Sequence, residues 1–281
     1  MIKPRDLTTL DAAKSFVSNK AGSVDDALIQ LFINGASLAI EKWLDRKLAL
    51  DNYTERRNGN GTSMLPVRNW PLVSVQSLVV GDTTLQPAPL TNGQPSTTGG
   101  GYIFDDQIIY LRPGSSEISA GCFWRGYQNV LVTYQAGFIT PGLLALSQLP
   151  AWAATSQYQK GSQVVANGFV FTAMVAGTSG NTQPTWPSIL AGTVTDGTVQ
   201  WSATDTYAGV VSGALFLPEP IETACMQLVG LVYRQRDRIG DTGEGMGQER
   251  VNYFMGALNQ QTKWLLQPYR NVTPPWNTMG P

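Results

Sequence analysis

"YTERRNGNGTSMLPVRNWPLVSVQSLVV", residues 53–80, joins a charged run, two Asn-Gly pairs, two prolines and a β-rich tail. How it folds decides whether the chain cradles a ligand or builds a sheet. A dinucleotide fingerprint needs a third glycine and a following helix, and a phosphate loop needs Gly-Lys-Ser/Thr. The stretch has neither, and Val73 and Val75 alternate with polar residues after it. Asn58-Gly59 and Asn60-Gly61 tolerate positive φ, the chemistry of a hairpin turn. Pro66 and Pro71 suit strand starts or edges. The residues therefore predict a hairpin turning at 58–61.

Upstream, residues 6–19 predict a short helix with Leu10, Ala13, Phe16 and Val17 on one face. Ser23 reads as the N-cap of a second helix, with Asp25 and Asp26 in its first turn, where the dipole favours negative charge. Its apolar stripe runs through Leu28, Leu31, Phe32, Gly35, Ala36, Ala39, Ile40, Trp43, Leu44 and Leu48. The small Gly35 and Ala36 suit close approach of another helix.

Downstream, "YIFDDQIIYLRPG" predicts a hairpin around Asp105-Asp106, and "NVLVTYQAGF" a further strand. Residues 149–206 change texture: poor in charge, rich in Thr, Gly and Ser, and dotted with Trp152, Tyr158, Phe169, Phe171, Trp186 and Trp201. Short β runs, with a hairpin signal at Asn167-Gly168, predict a small inserted β module. Pro218 and Pro220 then open a helix with Ile221, Ala224, Cys225, Leu228, Val229 and Val232 on one face. "GDTGEGMG" reads as a loop, 251–266 as a last helix, and the proline-rich end as a tail without a fold of its own.

Composition narrows the function. The 281 residues are 42% hydrophobic and 14% charged, enough to build a core yet well under the usual charged share of about 25%. So few charges fit a surface partly covered by sister subunits. A formal net charge of −1 gives no strong field toward nucleic acid or anionic membrane. Histidine is absent, which removes the Ser-His-Asp and Cys-His nucleophile systems and the commonest zinc ligand. Cys122 and Cys225 stand alone in no motif, as suits a reducing compartment. The first residues lack the apolar core of a signal peptide, and no apolar run nears the roughly 20 residues that span a bilayer. A soluble protein made in the cytoplasm is expected, with no catalytic, cofactor or metal residues to assign.

Several side chains admit two readings. Trp152, Tyr158 and Trp186 could contact glycan, but aromatics in so small a module more often form its core. Arg234, Arg236 and Arg238 could face DNA, but dipole compensation and salt bridges are the simpler role, and alternate spacing scatters them around a helix. Asp25-Asp26 and Asp105-Asp106 could be hydrolytic carboxylates, but adjacent residues at a helix start or turn do not face each other.

The segments "AIEKWLDRKL", "YTERRNGNGTSMLPVRNWPLVSVQSLVVG", "LPEPIETACMQLVGLVYRQRDRIG" and "LLQPYR" occur in the order found in the head–tail connector (adaptor) proteins of long-tailed bacteriophages. The chain resembles that family over about two-thirds of its length. The resemblance implies an α+β fold: a helical bundle core with a β-hairpin and small-sheet extension, spanning 1–148 and 207–265. An inserted all-β module fills 149–206, and an extended arm covers 266–281. It implies a ring, typically dodecameric, at the virion neck under the portal protein, and meeting a tail-side stopper or tail terminator. It further implies that DNA passes through without sequence-specific binding. Glu41, Arg46, Arg234 and Arg238 would lie at ring contacts, and the C-terminal segment, with Trp264, Tyr269, Arg270 and Trp276, would grip the portal. The insert resembles carbohydrate-binding-like modules of phage structural proteins. The alternatives are a glycan-binding surface protein using Trp152, Tyr158 and Trp186, and a lysin carrying a binding module.

Overall fold

The computed structural model describes residues 1–17, 25–91, 94–95, 99–114, 121–236, 243–246, 249–252 and 258–271. The chain divides into two compact units: Met1–Ala49, Ile139–Val210 and Phe216–Pro281 form one, and Leu50–Phe138 with Val211–Leu215 the other.

The second unit is built on strands. A four-stranded antiparallel sheet has the order β1-β9-β3-β4, from β1 (Asp51–Gly59), β3 (Leu72–Val80), β4 (Thr83–Leu85) and β9 (Gly126–Ala136). A three-stranded sheet has the order β2-β8-β7, from β2 (Met64–Pro66), β7 (Gly101–Phe104) and β8 (Ile108–Arg112). The minimal pair β5 (Leu90–Thr91) and β6 (Gln94–Pro95) completes it. Leu78, Val80, Val130, Val132 and Tyr134 of the first sheet pack with Leu65, Tyr102, Ile109 and Leu111 of the second in one buried cluster. Period-two alternation places these on the inner faces.

In the first unit, α1 (Leu10–Val17), α2 (Asp26–Leu44), α4 (Glu219–Gln235) and α5 (Gln260–Leu266) gather around α4, which packs on the other three. The short α3 (Pro141–Ser147) starts at Thr140, whose hydroxyl accepts from the Leu143 N–H at 3.1 Å and donates to the Pro4 carbonyl. The same unit holds a four-stranded antiparallel sheet, order β11-β12-β15-β14: β11 (Gln163–Ala166), β12 (Phe169–Val175), β14 (Thr193–Asp196) and β15 (Val199–Thr206). The short pair β10 (Gln157–Tyr158) and β13 (Gly177–Thr178) flanks it. Val164, Phe171, Ala173, Val199, Trp201 and Ala203 form its core. Gln163 ties it to the N-terminus through paired bonds with the Ile2 backbone at 3.1 and 2.9 Å. A last hairpin pairs β16 (Gly243–Met246) with β17 (Glu249–Asn252).

Four expectations need correction. The core is not a helical bundle: the described residues carry more strand than helix, and three of the five helices have eight residues or fewer. Helical periodicity over a long segment is conspicuous in a sequence, whereas short strands broken by Gly and Pro are not. Second, 58–61 is not the turn of a β1–β2 hairpin. The strand β1 pairs with β9, and β2 pairs with β8, so the segment carries the chain from one sheet to the other. Its turn chemistry is present all the same: Gly61 has φ of 78°, and Asn60 Oδ1 accepts from the Thr62 N–H at 2.9 Å. Third, α2 buries Ile29, Ile33, Ala36, Ile40 and Leu44, while Leu31 is 62% exposed and Gly35 faces open space. Apolar residues all round the helix allowed two stripes, and the one with β-branched Ile29, Ile33 and Ile40 went inside. Fourth, "GEGM" is a strand, and the last helix starts at Gln260 rather than 251. Ser23 lies outside the described residues.

Local signals that need no distant partner hold in the structure. The strands β7 and β8 form a hairpin around Asp105-Asp106. Asn167 and Gly168, with φ of 48° and 76°, turn β11 into β12. Pro220 sits in the first turn of α4.

Candidate interaction surfaces

The C-terminal end of α2 is fixed from inside. Glu41 is 8% exposed and accepts from the Leu48 N–H at 2.9 Å. Burial raises its pKa above the ordinary carboxylate value against the pull of that bond. Arg46 is also buried, just beyond Asp45, whose φ of 55° ends the helix in the left-handed region. Both side chains, expected at a ring contact, thus lie within the subunit.

At the far end of α4, Arg234 is exposed. Arg236 stacks on the Tyr233 ring at 4.1 Å and lies 3.6 Å from Asp25. The Tyr233 hydroxyl donates to Asp25 at 2.5 Å, while Asp26 pairs with Lys14 at 2.6 Å. The two adjacent carboxylates therefore serve different partners and form no acid–base pair. Arg238 lies outside the described residues.

Asp105 and Asp106 mark a turn. Asp105 accepts from the Gln107 and Ile108 N–H groups at 2.9 and 2.8 Å and from the Tyr110 hydroxyl at 2.7 Å. Burial works to raise its pKa, but these bonds hold it below the usual value. Among the described residues no cluster of His, Cys, Asp and Glu could hold a metal ion, and no helix is long and apolar enough to cross a membrane.

The helix α5 begins at Asn259, whose side chain accepts from the Thr262 N–H at 2.7 Å. Its outer face carries Trp264, 80% exposed. Tyr269 is half-buried; Arg270 is exposed, with its guanidinium 5.4 Å from the Trp43 ring. The Asn271 N–H donates to the Leu44 carbonyl at 2.9 Å. The segment is thus pinned to α2 as far as Asn271. Trp276 lies outside the described residues.

The aromatics of residues 149–206 turn inward. Trp152, Tyr158 and Trp186 are half-buried against the small core, with Trp201 buried at its centre. Tyr158 meets Trp201 edge-on at 4.9 Å, and Trp186 lies 4.5 Å from Phe171 and 5.8 Å from Trp201. The buried Asp196 accepts from both indoles, Trp152 at 2.8 Å and Trp201 at 3.2 Å, and from the Gly180 N–H at 2.7 Å. Three donors on one carboxylate compensate its burial.

Two features were not singled out in the sequence. The first is the tip where β1 ends and β9 begins. There Tyr127 is 84% exposed, Trp124 is 42% exposed, and Arg125 is exposed between them. The signal was present as "WRGY" between Gly121 and Asn129: the side chains favoured at interface hot spots, set among turn residues. The second is a hollow of about 300 Å³ in the first unit, lined by Ile139, Leu144, Phe216 and Leu217 with Glu222 among them. No sequence signal marks it, because its walls come from three separate stretches of chain.

No known family profile matches the chain, and no curated protein matches it. Among solved structures it is similar to a chain in the neck of an empty gene transfer agent (GTA) particle computed with C6 symmetry. The TM-score is 0.41 and the identity 12%, covering 96% of this chain and 93% of that one. It is also similar to a chain in the virion of a native GTA particle, with TM-score 0.41 and identity 13%, covering 98% and 94%. A likeness of this size runs the length of both chains but carries no conclusion about activity.

Proposed function

We propose that this chain is a structural subunit of a phage neck, forming a ring adaptor that joins the portal to the tail-side proteins and continues the DNA channel. The observation that carries the proposal is the outward face of α2. Leu31, Gly35 and Leu38 form a continuous exposed stripe, with the two leucines 62% and 52% exposed and nothing within 4 Å of a Cβ built on Gly35. Exposed apolar surface on a well-packed helix is a mark of an interaction site, and a glycine between two leucines lets a partner's backbone approach closely. The order of the connector-like segments points the same way.

In this account each copy offers one surface to the neighbour on one side and a different surface to the other, so the contacts close into a ring, typically a dodecamer. Residues 149–206 act as an inserted module on a core of 1–148 and 207–265. Trp264, Tyr269, Arg270 and Trp276 belong to the portal-binding arm, in which the Asn271 N–H is fastened to the Leu44 carbonyl. A glycan-binding role is not favoured by any observation, since Trp152, Tyr158 and Trp186 pack on the module's own core. Labelling of the chain in intact virions tests the neck assignment. Label at the head–tail junction is expected; label confined to capsid or tail fibre would overturn it.

A further inference from the structure

Four hydrogen bonds tie down the backbone around the exposed tip at Trp124–Tyr127. Asn129 accepts from the Gly59 N–H at 2.7 Å and donates to the Trp124 carbonyl at 2.8 Å. Asn58 accepts from the Gln128 N–H at 2.7 Å, and the Gly61 N–H donates to the Phe123 carbonyl at 2.7 Å. Gln128 adopts φ of 50°, a conformation that costs a non-glycine residue and persists only when its surroundings enforce it. These ties fix the backbone that carries Tyr127, whose ring is left almost wholly in solvent. An aromatic on a pre-ordered backbone beside an arginine has no loop to order on docking, which suits an interface anchor. Arg125 makes no ion pair among the described residues, so its charge is available to a partner.

The hollow between α3 and the start of α4 has the opposite character. Its walls are apolar, Phe216 at its lip is 67% exposed, and about 300 Å³ gives room for one aromatic side chain. Glu222 supplies a carboxylate there. Thr8 Oγ1 donates to one of its oxygens at 3.3 Å, and the other accepts no bond among the described residues.

We propose that the tip of one copy docks in the hollow of the next: Tyr127 enters between Leu144 and Phe216, and Arg125 pairs with Glu222. The occupant is a second copy of this chain because both halves of the contact, matched in polarity and in charge, are carried by the same polypeptide. Single-stranded nucleic acid is the poorer match: it calls for a basic groove with successive stacking platforms, and one arginine beside two rings does not make one. A knob and hole at different places on one chain give a heterologous contact, the kind that closes a ring. This inference rests on the ring assembly proposed above and names its interface.

The test mixes two differently tagged chains in a Cys122→Ser background, one carrying Tyr127→Cys and the other Leu144→Cys, and treats them with a short bis-maleimide. Dimers bearing both tags are expected, and replacing Leu144→Cys by Thr84→Cys abolishes them. In parallel, Arg125→Glu lowers the assembled fraction at least tenfold, and adding Glu222→Arg restores it. Rings of the unmodified chain with no mixed dimer, and no effect of Arg125→Glu, overturn this interface and leave ring assembly standing. A chain that never assembles overturns both. Cross-linking of Tyr127→Cys to added portal protein in place of the sister chain also contradicts the proposal.

Discussion

Gly59 lies flush against the backbone of Trp124: a Cβ built on the glycine falls 1.7 Å from the Trp124 carbonyl oxygen. Backbone cannot yield as a flexible side chain can, so Gly59→Ala must separate β1 from the turn that opens β9. We expect a loss of about 2–3 kcal/mol, the range for strain at a tightly packed backbone position. Urea denaturation of the two proteins checks it; an unchanged midpoint would show that the strands part at no cost. Gly35→Ala, on the open face of α2, is the control and is expected to stabilise the unassembled chain by roughly 0.5–1 kcal/mol.

Asp196 is the polar hub of residues 149–206. Replacing it with Ala leaves the indole N–H groups of Trp152 and Trp201 and the Gly180 N–H without their acceptor. Hydrogen bonds to a charged group contribute about 1.5–3 kcal/mol each, and stranded buried donors cost more. The module is expected to loosen first, seen as a red-shifted tryptophan emission preceding the main unfolding transition. A single transition at the wild-type midpoint would contradict this.

Asp6 is buried between the N-terminal turn and α2, where it accepts from the Lys3 N–H at 2.8 Å and from Gln30 Nε2 at 2.9 Å. Burial raises its pKa from 3.8 to about 6 against the pull of these bonds. The folded state therefore holds a proton that the unfolded chain has already released. The contribution of Asp6 to stability is fully present below pH 4, is lost as the pH rises toward 6, and is smaller by about 3 kcal/mol above that. Asp6→Asn keeps an acceptor oxygen and removes the ionisation. It is expected to raise the melting temperature at pH 8 and to flatten the slope between pH 4 and 6. A melting curve series with the same slope in both proteins would refute the assignment.

Trp152→Ala and Trp186→Ala separate structural from glycan-contact roles. Packed as they are on the Phe171–Trp201 core, these rings are expected to cost about 2–4 kcal/mol each on removal, near the range for large aromatic deletions. Retention on host envelope polysaccharide should be equally absent in all three proteins. Specific retention lost in both variants at unchanged stability would favour the glycan-binding alternative.

What was legible in the sequence was local. Asp105-Asp106, Asn167-Gly168 and Pro218–Pro220 each announce an element through residues adjacent in the chain, and each stands where it was placed. The pairing of β1 with β9 joins Arg57 to Val130 across more than seventy residues, and nothing in either strand names the other. The Asn-Gly pairs at 58–61 therefore looked like a hairpin when they serve a crossing between sheets. For α2, apolar residues on every side hid which stripe was buried. Among the candidate site residues, Trp264 and Arg234 are exposed, but Glu41 and Arg46 are buried. A charged residue near a helix end looks the same in sequence whether it meets solvent or fastens the following loop.

Electron microscopy of the purified chain, alone and mixed with its portal protein, is the direct test of assembly through self-complementary surfaces. Closed rings with a central channel, stacked on the portal when it is present, are the predicted result. A particle that remains monomeric at every concentration and leaves the portal bare would contradict the account.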